Sequence, residues 1–371
     1  MNANTVPLKE VIPWCPTSPR KILVCDSVET DGSFVLSTMT ADLFSSTVPS
    51  SLPSSSTSLT KGSNRHPATL PRALWLSGNT STERQVALTL KKLGCDAGAA
   101  YLRKTSNENS DQNNFYNGLK IRSLALETAD LILSSSRQES NANDRTFDEQ
   151  RYLKTVYNDV KAWINASSDN SQGEDKVMGS ALSWIILDDV TTLASILGDK
   201  LVYCFVESLI LLCSRTETTS ARQCGLIIRC SGDLDQMLYR MEGNEGNDHS
   251  GWFGAGGLSH KHTTHEMMHR TPVPWERAIE ESVDAIIDVL PLLSGFSREA
   301  HGRLIFSETP NGQGWKELQS RNSRNLSSSQ PPGLLSKSTS RTNETRNSNW
   351  NKLIFNYRLQ DNGARAIRLR S

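Results

Sequence analysis

The chain has 371 residues with 40 Lys and Arg against 40 Asp and Glu, so its overall charge names no partner. A hydrophobic share of 36% is low for a wholly packed globule; the apolar residues stand in islands between polar runs, enough for one mid-sized core with long insertions. Seven scattered cysteines (Cys15, Cys25, Cys95, Cys204, Cys213, Cys224 and Cys230), with no paired zinc-ligand spacing, argue against a disulfide framework and read as free thiols of a reducing compartment.

The opening MNANTVPLKEV lacks the charged start and apolar run of a signal peptide. Lys21 to Ser45 then reads as strand, tight loop and helix, the layout that cradles phosphates in P-loop proteins. The loop lacks the chemistry, however. A working loop brings backbone N–H groups to the phosphates at its glycines and neutralises them with a Lys. With Ser33 at the final Ser/Thr position, Asp26 and Asp31 fall at the two glycines and Gly32 at the lysine; one register on, Ser33 takes the lysine position. Neither supplies a cation. The loop Asp26, Ser27, Asp31, Gly32, Ser33, with Glu29 inside it, is expected to repel a triphosphate, and no cofactor is expected.

Residues 45–70 are a Ser, Thr and Pro run, a predicted insertion. The pattern resumes with a strand at Ala73 to Leu76 and a helix near Thr82 to Leu93, where Val86, Leu90 and Leu93 share a face and Gly94 follows. Leu119 to Leu126 predicts a third strand, and Glu149 to Ile164 a helix with Leu153, Val156, Val160 and Ile164 on its buried face. Polar insertions are expected near 104–114, at 134–147 and at 166–176. Leu182 to Leu187 is apolar on both faces, as a central strand of a helix-covered parallel sheet must be, and it ends at Asp188 and Asp189.

A helix over Lys200 to Cys213 and a strand over Gly225 to Cys230 continue the alternation, which implies a parallel α/β sheet. Ile196 to Cys213 is the longest apolar run, but Asp199, Lys200 and Glu207 interrupt it, so no membrane span is expected. Beyond residue 230 the expected strands are Ala285 to Leu290, Arg303 to Phe306, Lys352 to Arg358 and Ala366 to Leu369. The last two join at Asp361-Asn362-Gly363, and together the four form an antiparallel extension. Insertions are expected at 242–276 and 307–349. Residues 298–371 hold 13 Lys and Arg against 5 Asp and Glu, a difference of +8, suited to nucleic-acid contact or to a solvated tail.

Three constellations bear on chemistry. Asp188 and Asp189 resemble a Walker B strand end, which holds magnesium with the P-loop hydroxyl; the defective loop leaves that pairing incomplete. His265, Glu266 and His269 match the H-E-x-x-H pattern of zinc proteases. Their setting is Gly- and Thr-rich, Pro272 and Pro274 follow at once, and no third ligand stands at a family spacing, so the match reads as a decoy and no metal site is expected. Cys25 with His301 would make a thiol nucleophile and base, although a buried thiol is the commoner role for such a cysteine.

The segments ILVCDSVETDGSF, WIILDDVTTLASILG, LIIRCSGD, GGLSH, GFSREAHGRLIF and FNYRLQDNGARAI, in that order, resemble the sixth subunit of the Elongator complex. The resemblance covers about half the chain, from residue 22 to the end. It implies a single RecA-like domain over residues 1–371 with a degenerate nucleotide site and no catalysis of its own. Its implied partners are Elongator subunits four and five, in a heterohexamer with two copies of each, together with tRNA and the catalytic subcomplex that modifies wobble uridine. A soluble protein of the cytoplasm, also open to the nucleus, follows. An active RecA-type ATPase is the alternative, and a zinc hydrolase built on the His265 segment the third.

Overall fold

The computed structural model describes residues 5–14, 18, 20–27, 29–45, 71–105, 118–137, 147–165, 182–218, 223–232, 279–292, 297, 300–309, 352–360 and 363–367. Its strands are β1 (Thr5–Pro7), β2 (Lys21–Asp26), β3 (Arg72–Ser77), β4 (Leu119–Ser123), β5 (Leu182–Asp188), β6 (Gln223–Ser231), β7 (Ala285–Pro291), β8 (Gly302–Glu308), β9 (Lys352–Gln360) and β10 (Gly363–Ile367). The helices are α1 (Ser33–Ser45), α2 (Glu83–Lys92), α3 (Asp96–Thr105), α4 (Leu124–Arg137), α5 (Glu149–Asn165), α6 (Val190–Leu197) and α7 (Asp199–Thr218).

All ten strands form one sheet in the order β1-β10-β9-β8-β7-β2-β6-β5-β3-β4. From β7 to β4 the neighbours run parallel, and from β7 to β1 antiparallel. The fold is therefore mixed α/β with a large, mostly parallel sheet and an antiparallel extension, as the alternation of elements predicts. Helices α1 to α3 cover one face and α4 to α7 the other, giving two apolar layers. Between them β5 has Trp184, Ile185, Ile186 and Leu187 wholly buried, which is why the run from Trp184 to Leu187 is apolar throughout, with the small Ser183 buried before it and Asp188 after it.

Local chemistry sets several boundaries. Helix α2 opens with a capping box: the Gln85 backbone N–H donates to Thr82 Oγ1, and the Thr82 N–H donates to Gln85 Oε1. It ends at Gly94, whose φ of +80° is a glycine conformation. Helix α3 follows at once and packs on α2 through Gly98, where a Cβ would lie 2.9 Å from Ala87 O. That close approach explains a glycine in a helix interior, and the same glycine hides the helix from a propensity reading.

Some predicted boundaries are corrected. The strand expected over Leu119 to Leu126 stops at Ser123, and Leu124 begins α4 with no intervening turn. The insertion placed at 134–147 starts too early, since α4 runs to Arg137; that at 307–349 likewise takes in the last two residues of β8, and that at 45–70 the last of α1. In the hairpin, Gln360 pairs with Gly363 and β10 spans Gly363–Ile367 rather than Ala366 to Leu369. Phe147 and Thr309 are also described, Phe147 packed on the core and Thr309 buried; the remainder of those insertions, with 166–176 and 242–276, lies outside the described residues, as do Asp361 and Asn362. No helix among the described residues is long and apolar enough to cross a membrane.

Candidate functional site

Strands β2, β6 and β5 are parallel neighbours, so their C-terminal ends open on one edge of the sheet, the edge at which open α/β sheets bind ligands. Each contributes a charged residue. Asp26 ends β2, Asp188 ends β5, and Arg229 lies on β6 between them. Arg229 Nε donates to Asp188 Oδ1 at 2.6 Å, and its Nη1 donates to Asp26 Oδ2 at 2.7 Å and to Asp31 Oδ1 at 3.1 Å. Asp189 Oδ2 stands 3.6 Å from the remaining nitrogen, Nη2. The guanidinium of Arg229, a residue 6% exposed, thus has four carboxylates around it.

The loop is built to hold this arrangement. Asp26 turns inward, where it also accepts from the Gly32 N–H at 2.7 Å and the Ser231 hydroxyl at 2.9 Å. A Cβ on Gly32 would come within 3.2 Å of Asp26, so the glycine serves the carboxylate that a phosphate loop would replace. Asp31 receives both the N–H and the hydroxyl of Ser33, at 2.9 and 2.7 Å. The hydroxyl in the usual metal-binding position is therefore spent on a carboxylate beside it. Ser27 and Thr30 close the loop through a hydroxyl contact of 3.1 Å, and Thr30 Oγ1 donates to Val289 O, tying it to β7.

On the other side of Arg229, Asp189 caps α6 from a left-handed conformation, φ +61°, and accepts from the N–H and hydroxyl of Thr192. Gly78 donates its N–H to Asp188 O at 2.6 Å, and a Cβ there would meet Asp189 O at 2.3 Å. The Asp188–Asp189 corner is thus pressed against the end of β3. Asn79 Nδ2 reaches Asp188 Oδ2 at 3.3 Å.

Electrostatics follow from crowding. Asp26 and Asp188 are buried beside one guanidinium, with Asp189 partly and Asp31 largely exposed at its edge, so carboxylates outnumber cations there. Burial pushes the Asp26 carboxyl above its ordinary value despite the opposing pull of Arg229. Asp188 is pushed up as well, first by burial, with Arg229 opposing and Asp189 and Asp31 adding to the rise. For Arg229, burial acts to lower the guanidinium, but Asp188 and Asp26 outweigh it and push it up. Tyr357, beneath Asp31 and Asp26, is pushed up to about 12 by burial and then by those two charges.

The structure therefore gathers Asp26, Asp31, Asp188 and Asp189, with Ser27, Gly32 and Ser33 as loop supports. It adds Arg229, which the sequence reading missed. The loop supplies no cation, but the neighbouring strand does. A charged residue inside the apolar run Leu226 to Cys230 was the available signal, because an arginine on a central strand must find carboxylates.

Cys25 and His301 are not brought together in any contact. The Cys25 sulfur faces Cys230 at 3.8 Å, while His301 Nδ1 accepts from the Leu359 N–H at 3.0 Å. His265, Glu266 and His269 lie outside the described residues. Among the described residues no group of three or more His, Cys, Asp and Glu is arranged to hold a metal ion.

No protein-family model matches the chain, and no curated protein matches it. Among solved structures it is similar to an uncharacterized protein from Pyrococcus horikoshii, in complex with an unknown peptide, at 8% identity and a TM-score of 0.44; the match covers 94% of this chain and 92% of that one. Another is the flagellar accessory protein FlaH from Methanocaldococcus jannaschii, at 8% identity and a TM-score of 0.35, covering 78% and 79% of the two chains. At these scores neither protein's properties carry over.

Proposed function

We propose that this chain is a non-catalytic, RecA-like subunit of the Elongator complex, corresponding to its sixth subunit. It assembles with subunits four and five into a heterohexameric ring that binds tRNA and supports wobble-uridine modification by the catalytic subcomplex. The observation that carries the non-catalytic part is the enclosure of Arg229. Among the described residues the buried cation at these strand ends, Arg229, is engaged by the protein's own carboxylates, and the loop offers no lysine in its place. An incoming triphosphate would meet Asp31, whose side chain is 73% exposed, before it met positive charge. The assembly part is supported by the ordered resemblance of six segments, several of which form this same site: the loop, the Asp188 strand end and the Arg229 strand.

The test is co-expression with candidate subunits four and five, with mass measured by light scattering beside the chain alone. A ring-sized complex containing all three chains is the expected result. A monomer that ignores both partners overturns the assembly reading. ATP turnover by the isolated chain, lost in Asp188→Ala, would replace it with the ATPase reading.

A further inference from the structure

Among the described residues, the apolar layer between the sheet and α4 to α7 takes in β8 but no residue of β9 or β10. Ile305 of β8 is still buried in that layer, but its cross-strand partner Ile354 on β9 is 48% exposed. Strand pairing assigns further residues to the same face. Arg303 opposes Asn356, Arg358 opposes Arg365, and Ile367 opposes Asn356 from the other side. Three arginines on three adjacent strands therefore share one surface, interleaved with Ile354, Asn356 and Ile367.

Three features mark this as an incomplete surface. Arg358 and Arg365 stand directly across an antiparallel pair, where like charges destabilise a sheet. Among the described residues no carboxylate forms an ion pair with Arg303, Arg358 or Arg365. At their centre Asn356 Oδ1 is buried without a hydrogen-bond partner among the described residues. A sheet does not gain by collecting guanidinium groups unless something anionic lies over them.

We infer that this face binds the phosphodiester backbone of a nucleic acid. Neighbouring strands are roughly 5 Å apart and alternate residues roughly 7 Å along a strand, so the three guanidinium groups sample a band rather than a point. That suits a chain of phosphates better than a single anion. Arginine forks bind phosphate through two parallel N–H bonds, and their planes, with the aliphatic side chains between them, offer stacking surfaces for unpaired bases. The excess of basic residues over 298–371 adds to the attraction. This inference rests on the nucleic-acid part of the reading above and adds the surface; it requires no partner subunit.

The experiment is fluorescence anisotropy of a labelled oligouridylate with the full chain across a salt series, comparing wild type with Arg358→Gln/Arg365→Gln. Binding should weaken in the variant, and the slope of log affinity against log salt should fall by about 0.7 for each arginine removed. Arg358→Lys/Arg365→Lys should keep the slope while binding less tightly, since lysine keeps the charge and loses the fork. An unchanged affinity and slope in the glutamine variant overturns the proposal. So does a polyglutamate peptide that binds the wild-type face as tightly and displaces the oligonucleotide, which would assign the surface to an acidic protein segment.

Circular dichroism of each variant, expected to match wild type, excludes misfolding as the cause of lost binding. The two readings fail separately. A chain that ignores subunits four and five yet binds oligonucleotide through these arginines loses the ring and keeps the face. A chain that forms the ring while its RNA affinity ignores the arginines does the reverse.

Discussion

The parallel and antiparallel halves of one sheet treat arginine in opposite ways. Arg229 on β6 is buried and enclosed by Asp26, Asp31, Asp188 and Asp189, whereas Arg303, Arg358 and Arg365 stand on a face where, among the described residues, no helix covers β9 and β10 and no carboxylate pairs with them. Both sets follow from cover. In the parallel half helices lie on both faces, so a charge can enter only with its partners, and the strand ends supply them. In the extension one face has no such cover among the described residues, and Arg358 there is exposed to water, with Arg303 and Arg365 partly so. The lesson concerns which charge is available: the buried set has more carboxylate than it needs, and the open set has cation to spare.

The most forceful way to break this comparison is to remove Arg229. Arg229→Leu leaves Asp26 and Asp188 buried without their cation, and a broken buried pair costs about 3–5 kcal/mol. Urea unfolding should register that loss, or the variant should fail to accumulate as folded protein. Arg229→Lys keeps the charge and loses the fork that reaches Asp188 and Asp26 together, so a smaller but clear loss is expected. A wild-type midpoint in Arg229→Leu would mean that the enclosure is incidental.

The pH dependence of Asp188 sharpens the same contrast. Its carboxyl is raised above 3.8 in the folded state, so the folded protein holds the proton more tightly than the unfolded chain. Its stabilising contribution is fully present below the unfolded value and is lost as pH rises through the folded one. Asp188→Asn cannot titrate. The variant should therefore gain on wild type as pH climbs from below 4 toward neutrality, read as the difference between their urea midpoints. A difference that moves the other way would mean that Arg229 outweighs burial.

How legible all this was depended on the range of the causes. Strand β5 and helices α2 and α5 showed in the sequence because their signals are local: the apolar run Trp184 to Leu187, a face through Val86 and Leu90 ended by Gly94, a face repeating through Leu153, Val156 and Val160. Helix α6 was missed because its eight residues open with Val190, Thr191 and Thr192, a β-branched start that reads as strand or turn. Strand β1 is three residues long and exists only by pairing with β10, over 350 positions away. The candidate site divides likewise. Asp26, Asp31, Asp188 and Asp189 could be named from the loop and strand-end patterns, but their common neighbour comes from β6, which only the sheet order inserts between β2 and β5.

The smallest expected effect concerns the Arg358–Arg365 pair itself. Arg358→Thr replaces one member of a directly opposed like-charge pair with a strand-favouring residue on an exposed position, and nothing buried depends on it. Relief of the repulsion should stabilise the isolated chain by about 0.2–1 kcal/mol at low salt. Because Arg358 is exposed and Arg365 partly so, screening should erase most of the gain as salt rises above the physiological range. In a double-mutant cycle, Arg365→Thr on top of Arg358→Thr should add less than it does alone, since the repulsion can be removed only once. The measurement is urea unfolding at two salt concentrations. A loss of stability in Arg358→Thr would mean that the side chain already has a partner in this chain, and the contrast with Arg229 would narrow to a difference of burial.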